Sequence, residues 1–329
     1  MKIVVLKGGI SSEREISLIS GSIIAKSLRN NGHNVVELDT VLPIEQLHKK
    51  IEVTDDFIKN GNRNLISLLQ HSSLQNNDFI FNALHGGEGE NGEVQSLLQM
   101  FDFKTNGSDS TGCAIAMDKV SSKLIFERYK IPTPKWEHFN RGKNETIAEM
   151  VEDVVKNLKF PVVVKPSSEG STVGLSIVEK AGDLEQAFQL SLKYCKEILV
   201  EEFIPGRELT VSILNDEALP ILEIIPKHRI YDYECKYADG MSEYRCPADL
   251  DEQLAAKIKE LSVIGFRALK CSGYGRMDLR LSEDNDPYFL ELNTLPGMTS
   301  HSLLPKAALT ANINFETLLE KIIETGLKK

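Results

Sequence analysis

Residues 275–293 read GRMDLRLSEDNDPYFLELN, and how they fold decides the architecture of the chain around them. Two mixed apolar and polar stretches, 275–282 and 287–293, flank Glu283-Asp284-Asn285-Asp286. That is the pattern of two strands joined by a turn. Side chains alternate along a strand, so Glu291 and Asn293 point to one face. With Asp278 on the paired strand, three oxygen ligands converge. A small set of hard oxygen donors suits Mg²⁺, which keeps phosphate and water as its other partners. Solvated carboxylates are the commoner explanation of such a set taken alone, but this one does not stand alone. Arg276 lies two residues before Asp278 on the same strand face, where it would stabilise a developing oxyanion. The stretch NTLPGMTSHS that follows brings the backbone N–H of Gly297 to the same point, and His301 and Ser302 extend it. A lone histidine in such a loop is more often structural than functional.

Upstream, the apolar run FPVVVKP is a buried strand ending in Lys165, followed by a Ser- and Gly-rich loop from Pro166 to Gly174. A lysine beside such a loop can serve a phosphate, although the spacing is not that of a P-loop. Lys119 opens the helix KVSSKLIFERYK, which Asp118 is placed to cap and which Pro132 and Pro134 end. A lysine at a helix N-terminus opposes the dipole, a mild sign of a ligand role. Glu208 follows Pro205-Gly206-Arg207 and reads as exposed, within reach of a sugar hydroxyl. LSIVEK and EILVEEFI are strands flanking the helix DLEQAFQLSLKYC. ELTVSILN and ALPILEIIP form an antiparallel pair across Asn215-Asp216. Residues 231–248 read as a polar, aromatic loop, residues 251–270 as a long amphipathic helix, and one last helix ends the chain.

The N-terminal part differs. A buried strand at Ile3–Leu6, a helix from about Ser17 to Asn30 and the strand HNVVELD make a parallel α/β unit. Residues 41–77 are polar and lean to helix. A strand at 78–84 then leads into HGGEGENGEV, where Gly87, Gly89 and Gly92 spell the G-x-G-x-x-G of dinucleotide sites. The charges exclude that reading. Glu88, Glu90 and Glu93 would crowd a pyrophosphate, and one like-charge pair at ~5 Å costs about 3 kcal/mol at an effective dielectric near 20. A helix N-terminus returns at most ~2 kcal/mol. The glycines serve a tight turn, and the carboxylates suit a cationic or amine-bearing ligand. The chain thus runs from an α/β unit through a small α+β segment to a mostly antiparallel α+β segment, with a nucleotide cleft expected between the last two.

The 329 residues carry a net charge of -10, which argues against a nucleic-acid partner. The five cysteines form no C-x-x-C, so zinc sites and a disulfide framework are not expected and a reducing cytoplasm is. No stretch approaches the ~20 apolar residues of a membrane span.

Taken together, LKGGISSEREISL, ALHGGEGENGEVQ, MDKVSSK, PVVVKPSSEGSTVG, YDYECKY, GRMDLR and ELNTLPGMTSHSLLP resemble the bacterial D-alanine–D-alanine ligases, in family order and over nearly the whole chain. The resemblance implies an ATP-grasp fold of class α/β, its C-terminal part α+β, behind an N-terminal parallel α/β domain. It divides the chain into 1–107, a central ATP-grasp subdomain 108–201, and 202–329 with the metal site and a lid. It implies ATP as co-substrate, two Mg²⁺ or Mn²⁺ ions, D-alanine as the amino acid on both sides of the bond, and a homodimer. Asp278, Glu291 and Asn293 match the metal ligands. Lys119 and Lys165 match ATP phosphate contacts, Glu201, Glu202, Phe203 and Ile204 the adenine hinge, Glu208 the ribose contact, and Tyr231 a neighbour of the nucleotide. Glu13 matches the carboxylate that holds the first ammonium, with Ser171 and Tyr237 as its partners. His85 lies near the first substrate, and Lys236, Ser302 and Leu303 match the second-substrate site. Arg276 and Gly297 match the oxyanion hole. The lid would run from Tyr231 to about Pro247. A D-serine or D-lactate ligase is the alternative, and Tyr237 favours the plain dipeptide. Asn91 departs from the acid expected after Glu90, and residues 41–77 are longer than usual.

Overall fold

The computed structural model describes every residue except 142–145, Ser171, Asp232, Tyr233, Lys236, Tyr237, Asp239, Ser300, His301 and the side chain of Ser73. Strands β1 (Lys2–Lys7), β2 (Asn34–Asp39) and β3 (Phe79–Asn82) form a parallel sheet ordered β2-β1-β3, crossed by α1 (Arg14–Asn30). Ile3, Val4, Val5 and Leu6 are fully buried, because helices cover both faces of this sheet. Within the polar tract 41–77, α2 (Asp55–Lys59) is capped by Thr54, and α3 (Gly61–Gln70) packs Leu65, Leu68 and Leu69 against Val4, Leu6 and Ile80. Helices α4 (Glu93–Met100), α5 (Ser110–Met117) and α6 (Lys119–Arg128) lead to the second sheet.

That sheet is antiparallel, with β4 (Trp136–Asn140), β5 (Val162–Pro166), β6 (Ser176–Val178) and β7 (Glu197–Glu202) in the order β4-β7-β5-β6. Helices α7 (Ile147–Asn157) and α8 (Leu184–Ser191) cover it through Met150, Val154, Leu184 and Phe188. In the third sheet, β8 (Arg207–Leu214), β10 (Leu222–Pro226), β11 (Ser242–Arg245), β12 (Tyr274–Leu281) and β13 (Pro287–Asn293) run β11-β10-β8-β12-β13. The short β9 (Glu217–Ala218) pairs with β8. Asn215 and Asp216 both take positive φ in the β8–β9 turn, as a tight hairpin demands. Helix α9 (Glu252–Ala268) packs Ile258 and Phe266 on Val211, Met277, Leu279 and Phe289.

Two elements differ from the sequence reading. Residues 231–248 are not all loop, because β11 pairs along β10 from Glu223↔Arg245 to Pro226↔Ser242. Its alternation, with side chains half-buried and exposed in turn, carries little apolar signal. The chain also ends in two helices, α10 (Leu303–Thr310) and α11 (Phe315–Leu327). Asn312 turns the backbone to φ 60 and Asn314 caps the second helix, its side chain accepting from the Thr317 N–H at 2.8 Å. The break lets Leu318, Leu319, Ile322 and Ile323 pack beneath Ile3, Val5, Phe79 and Phe81.

Candidate active site

The second and third sheets face each other across a cavity. Lys165, Glu201, Glu202, Phe203 and Ile204 line it from one side, and Glu208, Leu209, Ile224, Asp278, Leu279 and Arg280 from the other. Register explains the charged set. Lys165 pairs with Leu199 and Val163 with Glu201, so Lys165 and Glu201 sit diagonally on one face of the sheet. Glu201 is buried and ion-paired on both sides, to Lys165 through Oε1 and to Lys123 through Oε2 at 2.7 Å. Burial alone would raise the Glu201 pKa, but the two lysines more than reverse this and hold it below its ordinary value. Burial drives Lys123 down to about 8 against the pull of Glu201.

Glu208 is a correction. It is half-buried and lies 3.1 Å from Arg280, its direct cross-strand partner, where the sequence reading had it exposed. Opposite charges facing each other across an antiparallel pair attract. Arg280 also donates to the carbonyls of Ile204 at 2.6 Å and Gly206 at 2.8 Å, tying the segment between β7 and β8 to the third sheet. The Phe203 ring lies 5.1 Å from the same guanidinium.

Lys119 is buried at the cavity's inner end. Asp118 caps its helix through the Val120 N–H and accepts from the Ser121 and Ser167 hydroxyls at 2.6 Å each. The start of α6 is thereby fastened to the loop after β5. Lys119 Nζ donates to the Glu169 carbonyl at 2.6 Å and lies 3.3 Å from the Glu291 carboxylate.

A second cavity adjoins the first, lined by Glu13, His85, Glu90, Arg276, Asn293, Gly297, Ser302 and Leu303. Lys119, Glu169, Gly170, Tyr231 and Glu291 line both. Glu13 reaches in beside Gly86, whose φ is +66 and whose missing Cβ would stand 2.7 Å from the Glu13 carboxylate. His85 Nε2 is 3.1 Å from the Ser20 hydroxyl, and Nδ1 is 3.6 Å from Glu90. The glycine loop carries its acids accordingly: Glu90 beside His85, Glu88 accepting from the Ile10 N–H at 3.0 Å, and Glu93 exposed. Nothing in it is arranged for a pyrophosphate. Gly297 stands against Ser302, whose hydroxyl would be 2.8 Å from a Cβ there and accepts from the Thr299 N–H at 2.9 Å. Tyr231 bonds its hydroxyl to that of Tyr244 at 3.0 Å, and burial raises its pKa well above the ordinary tyrosine value.

The oxygen set lies where the cavities meet, and a bulge puts it there. Leu279 pairs with Phe289 but Asp278 with Glu291, so Leu290 is an extra residue in β13. Below the bulge Leu279 and Phe289 face the core. Above it Asp278 faces Glu291, and Arg276 faces Asn293. Asp278 accepts from the Thr210 hydroxyl at 2.6 Å and from Arg276 at 2.8 and 2.7 Å. The Asn293 Oδ1 is buried and has no hydrogen-bond partner among the described residues. An orphaned buried oxygen beside two carboxylates fits an oxygen-loving divalent cation. Among the described residues no group of three or more His, Cys, Asp or Glu is arranged to hold a metal ion, so a site here needs the amide.

The sequence reading did not single out Lys123, Glu169 or Arg280. Lys123 had a signal, standing four residues after Lys119 on one helix face. Glu169 had one in lying within the serine–glycine loop. Burial raises its pKa, Lys119 pulls it down and Glu13 pushes it up. Ser171, Lys236, Tyr237 and His301 lie outside the described residues.

Two antiparallel sheets gripping a cleft, with Lys165 and Glu201 on one wall and Glu208, Asp278 and Arg280 on the other, define an ATP-grasp enzyme. Comparison with known proteins narrows the class. Residues 2–108 match the family model for the D-ala D-ala ligase N-terminus, and residues 125–324 the model for its C-terminus. The D-alanine–D-alanine ligase of Aquifex aeolicus is 43% identical over 98% of this chain and 100% of its own length. That of Carboxydothermus hydrogenoformans is 39% identical over 100% and 99%. The crystal structure of the Bacillus anthracis D-alanine–D-alanine ligase complexed with ATP superposes with a TM-score of 0.79 at 33% identity, covering 100% of this chain and 97% of that one. The chain belongs to the D-alanine–D-alanine ligase family.

Proposed function

We propose that the chain joins two molecules of D-alanine to D-alanyl-D-alanine, a peptidoglycan precursor, with cleavage of ATP to ADP and phosphate. The observation that carries this reading is the shared wall. Lys119, Glu169, Gly170, Tyr231 and Glu291 line both cavities, so a γ-phosphate in one can meet a carboxylate in the other. A carboxylate is a poor acyl donor. Its oxygen takes the γ-phosphoryl group, the bond to the β-phosphate breaks, and ADP leaves. The amine of the second D-alanine, having lost its proton, attacks the acyl carbon, and phosphate departs with the C–O bonding pair.

In this reading Lys119 and Lys165 hold the phosphates, Glu201 to Ile204 the adenine, largely through their backbone groups, and Glu208 the ribose. Glu13 holds the first ammonium, with His85 beside it. Ser171, Tyr237, Lys236, Ser302 and Leu303 complete the amino-acid subsites. Arg276 and the Gly297 N–H stabilise the tetrahedral oxyanion, one such donor being worth ~3 kcal/mol. Asp278, Glu291 and Asn293 would hold Mg²⁺ or Mn²⁺, two ions in the family pattern, which supply neutralisation of phosphate charge when bound. Of the residues from Tyr231 to about Pro247, those ahead of β11, which is paired into the third sheet, act as the lid that keeps water from the acyl phosphate. Residues 1–107, 108–201 and 202–329 are the proposed units, and the family resemblance supports a homodimer. Five free thiols support a cytoplasmic setting, and no described helix is long and apolar enough to cross a membrane. The test is the mass of the product formed from D-alanine and ATP. The dipeptide with one ADP per bond is expected, and ATP turnover that yields no dipeptide refutes the reading.

A further inference from the structure

Lys123 is fully buried, yet it does not line the nucleotide cavity. A buried ammonium is tolerated only where it is paired and hydrogen-bonded. Its Nζ lies 2.7 Å from Glu201 Oε2 and donates to the Thr133 hydroxyl at 2.6 Å. That hydroxyl in turn donates to the Phe289 carbonyl at 2.9 Å. The other oxygen of Glu201 meets Lys165, which does line the cavity. Two lysines therefore share one carboxylate, and the cluster carries one net positive charge. With an apolar residue in place of Lys123, Lys165 and Glu201 would close into a neutral pair.

We propose that Lys123 is a positioning residue that neutralises and orients Glu201 from behind the cavity wall, leaving the charge of Lys165 free for the nucleotide phosphates. The inference rests on the reading of this cavity as an ATP site. It separates phosphate recognition from base recognition, which a purely structural role would not do. Burial and Lys165 lower the Lys123 pKa to about 8 while Glu201 pulls it up, so the ammonium still holds its charge at neutral pH.

The test is calorimetric titration of the full-length chain with ADP and with adenosine, folding being checked by circular dichroism. Lys123→Met is expected to weaken ADP by about tenfold or more and to change adenosine by less than about twofold. Lys123→Met combined with Glu201→Gln restores the single positive charge and should recover most of the ADP-to-adenosine ratio. This double variant also serves if the single one fails to fold. Glu201→Gln alone should raise the ratio above wild type. Equal losses for ADP and adenosine, or no recovery in the double variant, overturn the proposal. A wild-type chain that binds neither ADP nor ATP sinks the nucleotide reading itself, and this inference with it.

Discussion

The cavity proposed for the nucleotide takes most of its charged groups from strands held in register, whereas the one proposed for the amino acids draws several of its polar groups from loops. Lys165 and Glu201 meet because β5 and β7 pair as they do, and Glu208 meets Arg280 because β8 and β12 place them opposite. Glu13, Gly86, Gly297 and Ser302 come from loops of the first and third sheets and meet through close backbone approach. Charge pairs on strands tolerate little movement, because removing one partner strands the other. Loop groups can adjust to a small ligand. The first region should therefore answer mutation through charge, and the second through the KM of one substrate.

The largest effect is expected where the cavities join. Asp278→Asn removes an oxygen donor and breaks the bidentate contact with Arg276. It should lower kcat about 10³-fold in a phosphate-release assay. A loss under tenfold would remove Asp278 from the site. Arg276→Met should cost about 10²-fold in kcat with a KM for D-alanine within about twofold, since the oxyanion exists only in the transition state. His85→Ala should raise the KM for D-alanine about tenfold and leave that for ATP nearly unchanged; the reverse pattern would assign His85 to the other cavity. Glu208→Gln should raise the KM for ATP by about threefold and spare D-alanine.

The smallest expected effect concerns pH. Glu201 has a folded pKa below its ordinary value, so the folded chain binds fewer protons than the unfolded one as the carboxylate titrates. Its contribution is present above the unfolded pKa and is lost as pH falls through the folded one. The melting temperature should therefore fall more steeply below the ordinary carboxylate range in wild type than in Glu201→Gln. Parallel profiles would show that the buried cluster adds nothing to acid sensitivity.

Much of this division is readable along the chain. The hairpin at 275–293 is announced by its turn residues and alternation, and Lys119 and Lys165 by a helix start and a strand end. Other features have no local mark. The bulge at Leu290 decides that Glu291 faces Asp278, yet a strict alternation would have carried Glu291 to the same face as the buried Phe289. Glu208 reads as exposed because a sequence does not show which residue lies across the sheet. The final helix reads as one because the break at Asn312 matters only once α11 has a sheet to pack against.

The types of residue available for phosphate, metal and ammonium, and the order of strand and helix, follow from local chemistry: periodicity, capping and turn preference act over a few neighbours. The pairing of Lys123 with Glu201, the orphaned oxygen of Asn293 and the common wall of the two cavities follow from contacts between residues far apart in the chain. Those contacts exist only after the three sheets have packed, because sheet register and burial set both the partners and the local dielectric.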